Sequence, residues 1–402
     1  MPLPRTLRPL AHRDFRLLWT GQSVSFIGDN IHAVALPFQI LALKGGAVEL
    51  GIWSATLSVS FLVFSLIGGA LADRLPRRTL ILTGDLGAGV VVGVVAILSA
   101  SGQLRVEHLY VAAALFGMVE AFFQPSLMSI IPELVPPDIL QAGNVLRSLS
   151  RQIGFLVGPV AGGLLVALAG LPVAFAVDAA TFLFSFGAFA LARPPRREIP
   201  PPPPILRQVR EGLSYTFSIP WLWIFIFAWS LVLLGEHGPR AVALPIFVRD
   251  VLGGDARLFG TITAATGIGQ IATGIVLGQV RLRRIGIGIC VFAIVGALAT
   301  IGIGLVPHVA ATIFFAIVIG SEWVGLTVLW TTAVQKHVPR DMLGRVMSID
   351  GFGGSLLLPV APAVFAAIVA AVGPAQAFVI GGGFALVVVV ALLFVPSIRS
   401  LE

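Results

Sequence analysis

Apolar runs of about 20 residues recur along the whole length of this chain, and each is long enough to cross a bilayer as an α-helix. Hydrophobic residues make up 57% of the 402 residues, charged residues make up 11%, and the mean hydropathy is +0.98. A soluble protein of this size would need many more charged residues on its surface. We therefore predict an all-α polytopic membrane protein without a separately folded aqueous domain.

The apolar runs divide into twelve predicted membrane spans. Their approximate bounds are 15–43, 50–72, 79–100, 107–131, 141–169, 171–192, 219–247, 257–279, 285–305, 308–335, 342–371 and 374–396. The longest separating stretch, residues 193–218, contains a proline run from Pro200 to Pro204 among several arginines. Proline at this density predicts a stiff extended linker and not a helix. The predicted domains are thus six-helix halves at 1–192 and 219–402, joined by a linker at 193–218.

A charged hinge separates the second and third spans. Residues 69–78 read Gly-Ala-Leu-Ala-Asp-Arg-Leu-Pro-Arg-Arg, and their polar members are Asp73, Arg74, Arg77 and Arg78. So many charges cannot lie in hydrocarbon, so the hinge must be a tight loop at one membrane face. A loop this short makes the two flanking helices antiparallel neighbours.

The distribution of basic residues predicts the orientation. Most of the 26 Arg and Lys residues fall in segments on the same side as the hinge. Because cytoplasmic loops carry the excess of basic residues, we expect both termini, the hinge and the linker to be cytoplasmic. The net charge of +7 therefore reflects membrane orientation, and no nucleic-acid partner is predicted.

The two halves resemble each other in sequence. Residues 33–37, Ala-Val-Ala-Leu-Pro, recur at 241–245, and Val-Pro-Pro-Asp-Ile-Leu at 135–140 recurs as Val-Pro-Arg-Asp-Met-Leu at 338–343. The matches occur in the same order at similar offsets, which indicates an internal duplication. Halves repeated in this way predict a substrate site between them, near the middle of the membrane.

These residues resemble the major facilitator superfamily over essentially the whole chain. The hinge, which begins at Gly69, is similar to the signature of the family's loop between helices two and three, with Pro76 where the family usually has Gly. The fifth span is similar to the antiporter signature of the drug exporters of the family. Its matching residues are Gly154, Gly158, Pro159, Gly162 and Gly163. Shorter matches at 123–125, 132–136 and 335–346 are similar to a bacterial branch that contains enterobactin-type siderophore exporters and macrolide efflux proteins.

The resemblance implies a mechanism without a cofactor, driven by a proton gradient. It implies that the hinge latches the cytoplasmic side by meeting span eleven, and that the glycine-rich fifth helix limits leakage. The basic residue that the family carries in span four has no counterpart here, because that helix has Glu120 and Gln124 and no Arg. A proton relay that needs this Arg does not fit the sequence.

Asp29 is the first candidate for the proton or substrate pathway. It lies near the middle of span one, where a carboxylate costs roughly 2.5–3.5 kcal/mol on insertion scales and must face a partner or a water-filled cavity. A group of this kind can take up a proton or attract a cationic substrate. The alternative is a structural carboxylate that is bonded to Asn30, to His32 or to a helix end.

Span seven carries a second candidate at Glu236, with Arg240 four residues on and on the same helical face. The two side chains either neutralise each other or belong to the pathway. The Gly238–Pro239 pair is expected to break or kink this helix. Glu120 and Glu322 lie in the equivalent spans four and ten, where a structural and a pathway role are both open.

Three further acidic residues lie nearer the ends of their spans. We interpret Asp178 and Asp350 as groups that cap helices or snorkel, and we expect Asp85 to pair with a loop arginine.

The sequence favours a secondary transporter that exports hydrophobic or amphiphilic small molecules by proton antiport and alternating access. The alternatives are a dedicated exporter of a siderophore or another metabolite, and a lysophospholipid flippase. An intramembrane enzyme or a receptor is a remote alternative, because no metal-ligand cluster, activated nucleophile or phosphate loop is recognisable, and no catalytic or metal-binding residue is predicted. We expect a monomer in the cytoplasmic membrane of a bacterium, with the lipid bilayer, protons and a small-molecule substrate as its partners.

Overall fold

A computed structural model describes residues 5–72, 75–193, 205–280, 284–399 and 401. Every regular element in these ranges is helical. The α-helices are α1 Arg13–Ala42, α2 Ala47–Ala72, α3 Arg77–Ala100, α4 Val106–Leu134, α5 Leu140–Ala169, α6 Leu171–Ala190, α7 Ile205–Ser218, α8 Pro220–Gly238, α9 Leu244–Ile246, α10 Ala256–Leu277, α11 Ile285–Leu305, α12 Val309–His337, α13 Arg340–Gly354, α14 Val360–Val372, α15 Pro374–Leu393 and α16 Pro396–Arg399. Short 3-10 helices precede α1 (Arg5–Ala11) and α5 (Pro137–Ile139).

Within the described residues, 11 helical segments are long and apolar enough to span a membrane, and Val360–Val372 is a shorter apolar helix. Long helices are the expected form of these runs, because a backbone in lipid must satisfy its own hydrogen bonds. The predicted all-α, multi-span architecture is confirmed.

The sequence prediction is wrong for the second part of the linker. The prolines end at Pro204, and residues 205–218, expected to be extended, form α7. This segment repeats apolar residues at helical spacing, and it packs closely on α13, where a β-carbon at Gly212 would lie 3.2 Å from Cβ of Arg345. Residues 194–204, which carry the proline run, lie outside the described residues.

The predicted eleventh span, 342–371, is also wrong as one continuous helix. The chain forms α13 and α14 there, with a turn at residues 355–359 between them. Gly351, Gly353 and Gly354 weaken the helix before the turn, and Pro359 cannot donate a backbone hydrogen bond at the start of α14. Local composition therefore overrides the continuous apolar pattern.

The helices form two compact units. Unit one contains Met1–Gly45, Thr56–Pro201 and Asp255–Ala264, and unit two contains Gly46–Ala55, Pro202–Gly254 and Ala265–Glu402. The interior of unit one is built around side chains such as Phe15, Ile130 and Phe189, and that of unit two around side chains such as Leu222 and Val389.

Each unit contains a helical hairpin that turns on a glycine in the left-handed region. Gly170, between α5 and α6, has φ +87°, and Gly373, between α14 and α15, has φ +86°. A proline follows each glycine within two residues, at a position where a helix start tolerates it. The repeated turn is an additional mark of the duplication that the sequence indicates.

The glycine face of α5 packs against α1 in unit one. A β-carbon at Gly154 would lie 2.9 Å from the carbonyl oxygen of Phe26, and one at Gly162 would lie 2.9 Å from Cα of Ile31. Gly158 faces Asn30 in the same row. Small residues at this spacing let the two backbones approach closely, so they fix the position of the α1 segment that carries Asp29.

Two further positions of α5 pack on the start of α10, which belongs to unit one. A β-carbon at Gly163 would lie 2.6 Å from the carbonyl oxygen of Ala256. Gly260 approaches the backbone of Pro159 so closely that a side chain there would overlap it.

We expect Gly154→Leu to lower the stability of the folded protein by about 1–3 kcal/mol, because the added side chain must displace α1. Gly187→Leu on α6 is the matched control, since a β-carbon there meets no atom of a neighbouring element within 4 Å. Thermal unfolding of the purified proteins in detergent measures the difference. Equal unfolding midpoints for the two variants would contradict the packing role of this face.

Candidate functional site

Among the described residues, buried and half-buried ionisable side chains form a cluster in each unit. The unit-one cluster is Asp29, His32 and Asp178, with Asp85 and Glu120 beside it. The unit-two cluster is Glu236, Arg240 and Glu322. Charged groups in the interior of a membrane protein are costly and usually belong to a substrate or ion pathway, so these clusters are the candidate site.

Asp29 lies on α1 and has an unsatisfied oxygen. Its Oδ1 atom is buried and has no hydrogen-bond partner among the described residues. The proposed local partner Asn30 instead donates from Nδ2 to the carbonyl oxygen of Phe26, at 2.8 Å. The charged groups that act on Asp29 are Asp178, Glu120, Asp85 and Arg151. Three of these four are acidic.

His32 pairs with Asp178, so the described residues do not show the Asp29–His32 contact that was one of the structural alternatives for Asp29. His32 Nδ1 lies 3.0 Å from Asp178 Oδ2, although the two groups are not aligned for a hydrogen bond. The imidazole stacks on Phe116, with ring centroids 6.0 Å apart, and meets Phe175 edge-on at 5.3 Å. The pair therefore lies in an aromatic environment in the interior of unit one.

The interpretation of Asp178 as a snorkelling or capping residue is wrong as well. The residue is fully buried on α6. Gly28 of α1 makes room for it, because a β-carbon there would lie 2.7 Å from Asp178 Oδ1. The signal that could have found this residue is its position as an acid inside an apolar span.

Asp85 is hydrogen-bonded by two uncharged polar side chains. Ser185 Oγ donates to Asp85 Oδ2 at 2.8 Å, and Gln22 Nε2 approaches both carboxylate oxygens at 3.4 Å. Gln22 Nε2 also contacts Ser185 Oγ at 2.9 Å. The expected partnership of Asp85 with a loop arginine is therefore wrong.

Glu120 is satisfied on its own helix, α4. Gln124 Nε2 donates to Glu120 Oε2 at 2.9 Å, and Arg151 acts on the carboxylate at longer range. Glu120 thus contributes charge to the surroundings of Asp29 while keeping a hydrogen-bond partner.

The unit-two cluster joins helices α8 and α12. Glu236 and Glu322 are each 1% exposed, and each carboxyl group acts electrostatically on the other. Arg240 Nη2 lies 3.6 Å from Glu236 Oε2, and Arg240 Nε donates to the main-chain oxygen of Glu236 at 3.0 Å. The sequence indicated the Glu236–Arg240 pair, but it gave no sign that Glu322 joins it.

The expected break at Gly238–Pro239 is present. α8 ends at Gly238, and a π-helical segment, Pro239–Ala243, follows before α9. A second π-helical segment covers Phe247–Val251. Arg240 therefore lies on the first irregular segment, where the backbone departs from α-helical geometry.

The described arginines of the hinge bind the ends of neighbouring helices. Arg77 Nη1 donates to Ser129 O at 2.7 Å and contacts Glu133 on α4. Arg78 donates to the carbonyl oxygens of Ala190 and Ala192, at 2.8 and 3.1 Å. Both side chains thus connect the start of α3 to other helices of unit one.

The other members of the hinge are described only in part. Gly69 lies near the end of α2. Asp73 and Arg74 lie outside the described residues.

One arginine of α5 has unused donors. The Nε and Nη2 atoms of Arg147 are buried and have no acceptor among the described residues. They lie beside a small, largely apolar cavity that includes Phe15, Trp19 and Leu127. An arginine in this state is a candidate contact for an anionic group.

We expect Asp178 and His32 to be energetically coupled, by about 0.5–3 kcal/mol, because they contact each other in a buried site. The test is a double-mutant cycle with Asp178→Asn and His32→Asn, read from unfolding in detergent. The exposed pair Arg249–Asp250 gives the control cycle, for which about 0–1 kcal/mol is expected. Strict additivity at Asp178 and His32 would contradict the pairing.

The comparisons with known proteins agree with this architecture. The family model described as "Transmembrane secretion effector" matches residues 5–353. Macrolide efflux protein A of Streptococcus pyogenes is 24% identical over 399 residues, which cover 96% of this chain and 97% of that protein. Enterobactin exporter EntS of Shigella boydii is 24% identical over 367 residues, which cover 86% of this chain and 85% of that protein.

A solved structure shows the same fold. The crystal structure of the nucleoside transporter NupG superposes with a TM-score of 0.77, covering 94% of this chain and 98% of that chain at 12% identity. This likeness concerns the fold alone. Together with the family match, it confirms the predicted resemblance: the chain belongs to the transmembrane secretion effector family of the major facilitator superfamily, whose members are membrane transporters and not enzymes.

Proposed function

We propose that this transporter exports hydrophobic or amphiphilic small molecules in exchange for protons, by alternating access. The observation that carries the proposal is Asp29, a carboxyl group with an unsatisfied buried oxygen in a field of other acids. The similarity to a macrolide efflux protein supports export of drug-like molecules. We place the protein in a bacterial cytoplasmic membrane as a monomer with both termini in the cytoplasm, with the proton gradient as its energy source and no cofactor.

The charge of the unit-one cluster suggests how exchange works. An ionised Asp29 adds a negative charge beside Asp178 and Asp85, and the part of the chain that the structure describes offers no hydrogen-bond donor for Oδ1. A proton relieves both costs, and so does a cationic or hydrogen-bonding substrate that approaches the carboxylate. Proton and substrate then compete for one group, which is the requirement for antiport. No internal counter-ion is needed, because the two ligands replace each other.

We expect Asp29→Asn to abolish proton-driven efflux while retaining exchange of substrate between the two sides of the membrane, because the amide cannot release a proton. The measurement uses proteoliposomes with an imposed pH gradient and a macrolide and a lipophilic cationic dye as probes. Asp250→Asn, an exposed aspartate, is the matched control and should keep efflux. Full proton-driven efflux by Asp29→Asn would refute the assignment.

A dedicated exporter of an anionic metabolite is the second candidate function. The unused donors of Arg147 favour it, and so does the similarity to an enterobactin exporter. The same proteoliposomes separate the candidates by the charge of the cargo: an anionic catecholate would be carried in preference to the cationic dye, and Arg147→Gln would remove that preference.

We also propose that Asp73 acts in a cytoplasmic gate, as the resemblance of the hinge implies. We expect Asp73→Ala to lower transport several-fold while the amount of folded protein in the membrane stays unchanged. Asp138→Ala, an exposed aspartate in the 3-10 helix after α4, is the control. Unchanged transport by Asp73→Ala would leave the hinge with a role in topology alone.

A further inference from the structure

Two glutamates of unit two lie close to each other, and three of their four carboxyl oxygens lack a hydrogen-bond donor among the described residues. Glu236 on α8 and Glu322 on α12 are each 1% exposed, and each carboxyl group acts electrostatically on the other. The three oxygens without a donor are both oxygens of Glu322 and Oε1 of Glu236. An ionised carboxylate only accepts hydrogen bonds, so two ionised groups cannot bond to each other. A proton on one of them supplies the missing donor.

The packing around Glu322 holds the two groups in place. Gly296 of α11 lies directly against the carboxyl group of Glu322, and a side chain at that position would overlap it. Glu322 cannot turn away toward α11 without meeting this backbone. The shape of the interior therefore restricts the carboxyl group of Glu322 on the side of α11.

The nearest cation balances only one of the two acids. Arg240 Nη2 lies 3.6 Å from Glu236 Oε2, and its Nε atom is used by the main-chain oxygen of Glu236. With both glutamates ionised, the three groups carry one net negative charge, and one bound proton makes them neutral. A buried site strongly favours the neutral state, because an unbalanced charge in an apolar interior is costly. His237 adjoins Glu236, and the charge of Arg240 acts on it electrostatically.

The neighbouring helices supply no other charge to the cluster. α14 and α15, which pack on α8, have no ionisable side chain, and α11 has only Cys290. On α13, Asp350 accepts a hydrogen bond from Trp330 Nε1 at 3.0 Å, and Arg345 pairs with Glu211 at 2.9 Å. Within the described residues, the charges that act on the two glutamates are those of each other and of Arg240.

We propose that Glu236 and Glu322 form a carboxyl–carboxylate pair that binds one shared proton, with Arg240 as its counter-ion. This is a proton site separate from Asp29 and located in the other unit. Proton binding at the pair is independent of transport, whereas its use in the transport cycle rests on the proposed proton coupling.

Dicyclohexylcarbodiimide tests the pair, because this apolar reagent modifies protonated carboxyl groups in apolar surroundings. The purified full chain is labelled in detergent without substrate or gradient, and the adducts at each glutamate are quantified by mass spectrometry of peptides. We expect modification in the wild-type protein at Glu236 or Glu322, decreasing toward alkaline pH. The exposed Asp250 should remain unlabelled.

The variants distinguish a shared proton from two independent acids. In E322Q, the remaining Glu236 is balanced by Arg240 and should ionise, so its labelling should fall several-fold. E236Q should have the same effect on Glu322. In R240Q, labelling of the pair should persist to more alkaline pH, because the neutral cluster then holds two protons. If E322Q or E236Q fails to fold, as judged by its elution profile, R240Q alone tests the proposal.

Any of three results would overturn the proposal. The first is a wild-type protein whose pair is not labelled at any pH at which it stays folded. The second is labelling of Glu236 in E322Q at the wild-type level, and the third is a pH profile in R240Q that matches the wild type. D29N should keep the labelling of the pair, so a failure of the proposed function and a failure of this inference give different results.

Discussion

The cost of burying charge in an apolar helical bundle determines how this protein can be built. Every ionisable group inside the spans must find a partner, a proton or water. Asp85 accepts hydrogen bonds from Ser185 and Gln22. Asp350 accepts one from Trp330, and Glu120 accepts one from Gln124. Among the acids of the described residues, those with unsatisfied buried oxygens belong to the two clusters. This contrast separates the structural acids from the candidate functional ones.

Close backbone approach is the second condition for the clusters. Gly28 admits the carboxylate of Asp178, Gly296 admits that of Glu322, and the glycines of α5 hold α1 in place. A side chain at any of these positions would push an acid or a helix away. Glycine therefore contributes to the electrostatics of the interior, because it sets how closely the charges can approach.

Much of the fold follows from the sequence, since long apolar runs in lipid can only form helices. Most of the spans were predictable on this basis, and the spacing of four residues on one helix predicted the Glu236–Arg240 contact. The division of span eleven and the helix at 205–218 were missed, because short-range glycine, proline and amphipathic patterns outweighed the longer pattern used to assign them. The contact of Asp178 with His32 and the electrostatic interaction of Glu236 with Glu322 join residues far apart in the chain. Periodicity along one helix cannot show which face meets which, so these contacts become visible only when the helices are packed.

The duplication produced two similar frames but different charges. The hairpin glycines Gly170 and Gly373 mark the shared frame. The unit-one cluster has several acids around Asp29 and few cations near them. The unit-two cluster, in contrast, becomes neutral when it binds one proton. A cluster with excess negative charge can exchange a proton for a cationic or polar ligand, while a nearly balanced pair is satisfied by the proton alone. The same backbone repeat can therefore carry two kinds of proton chemistry, and the difference between them depends on a few side chains at the helix contacts.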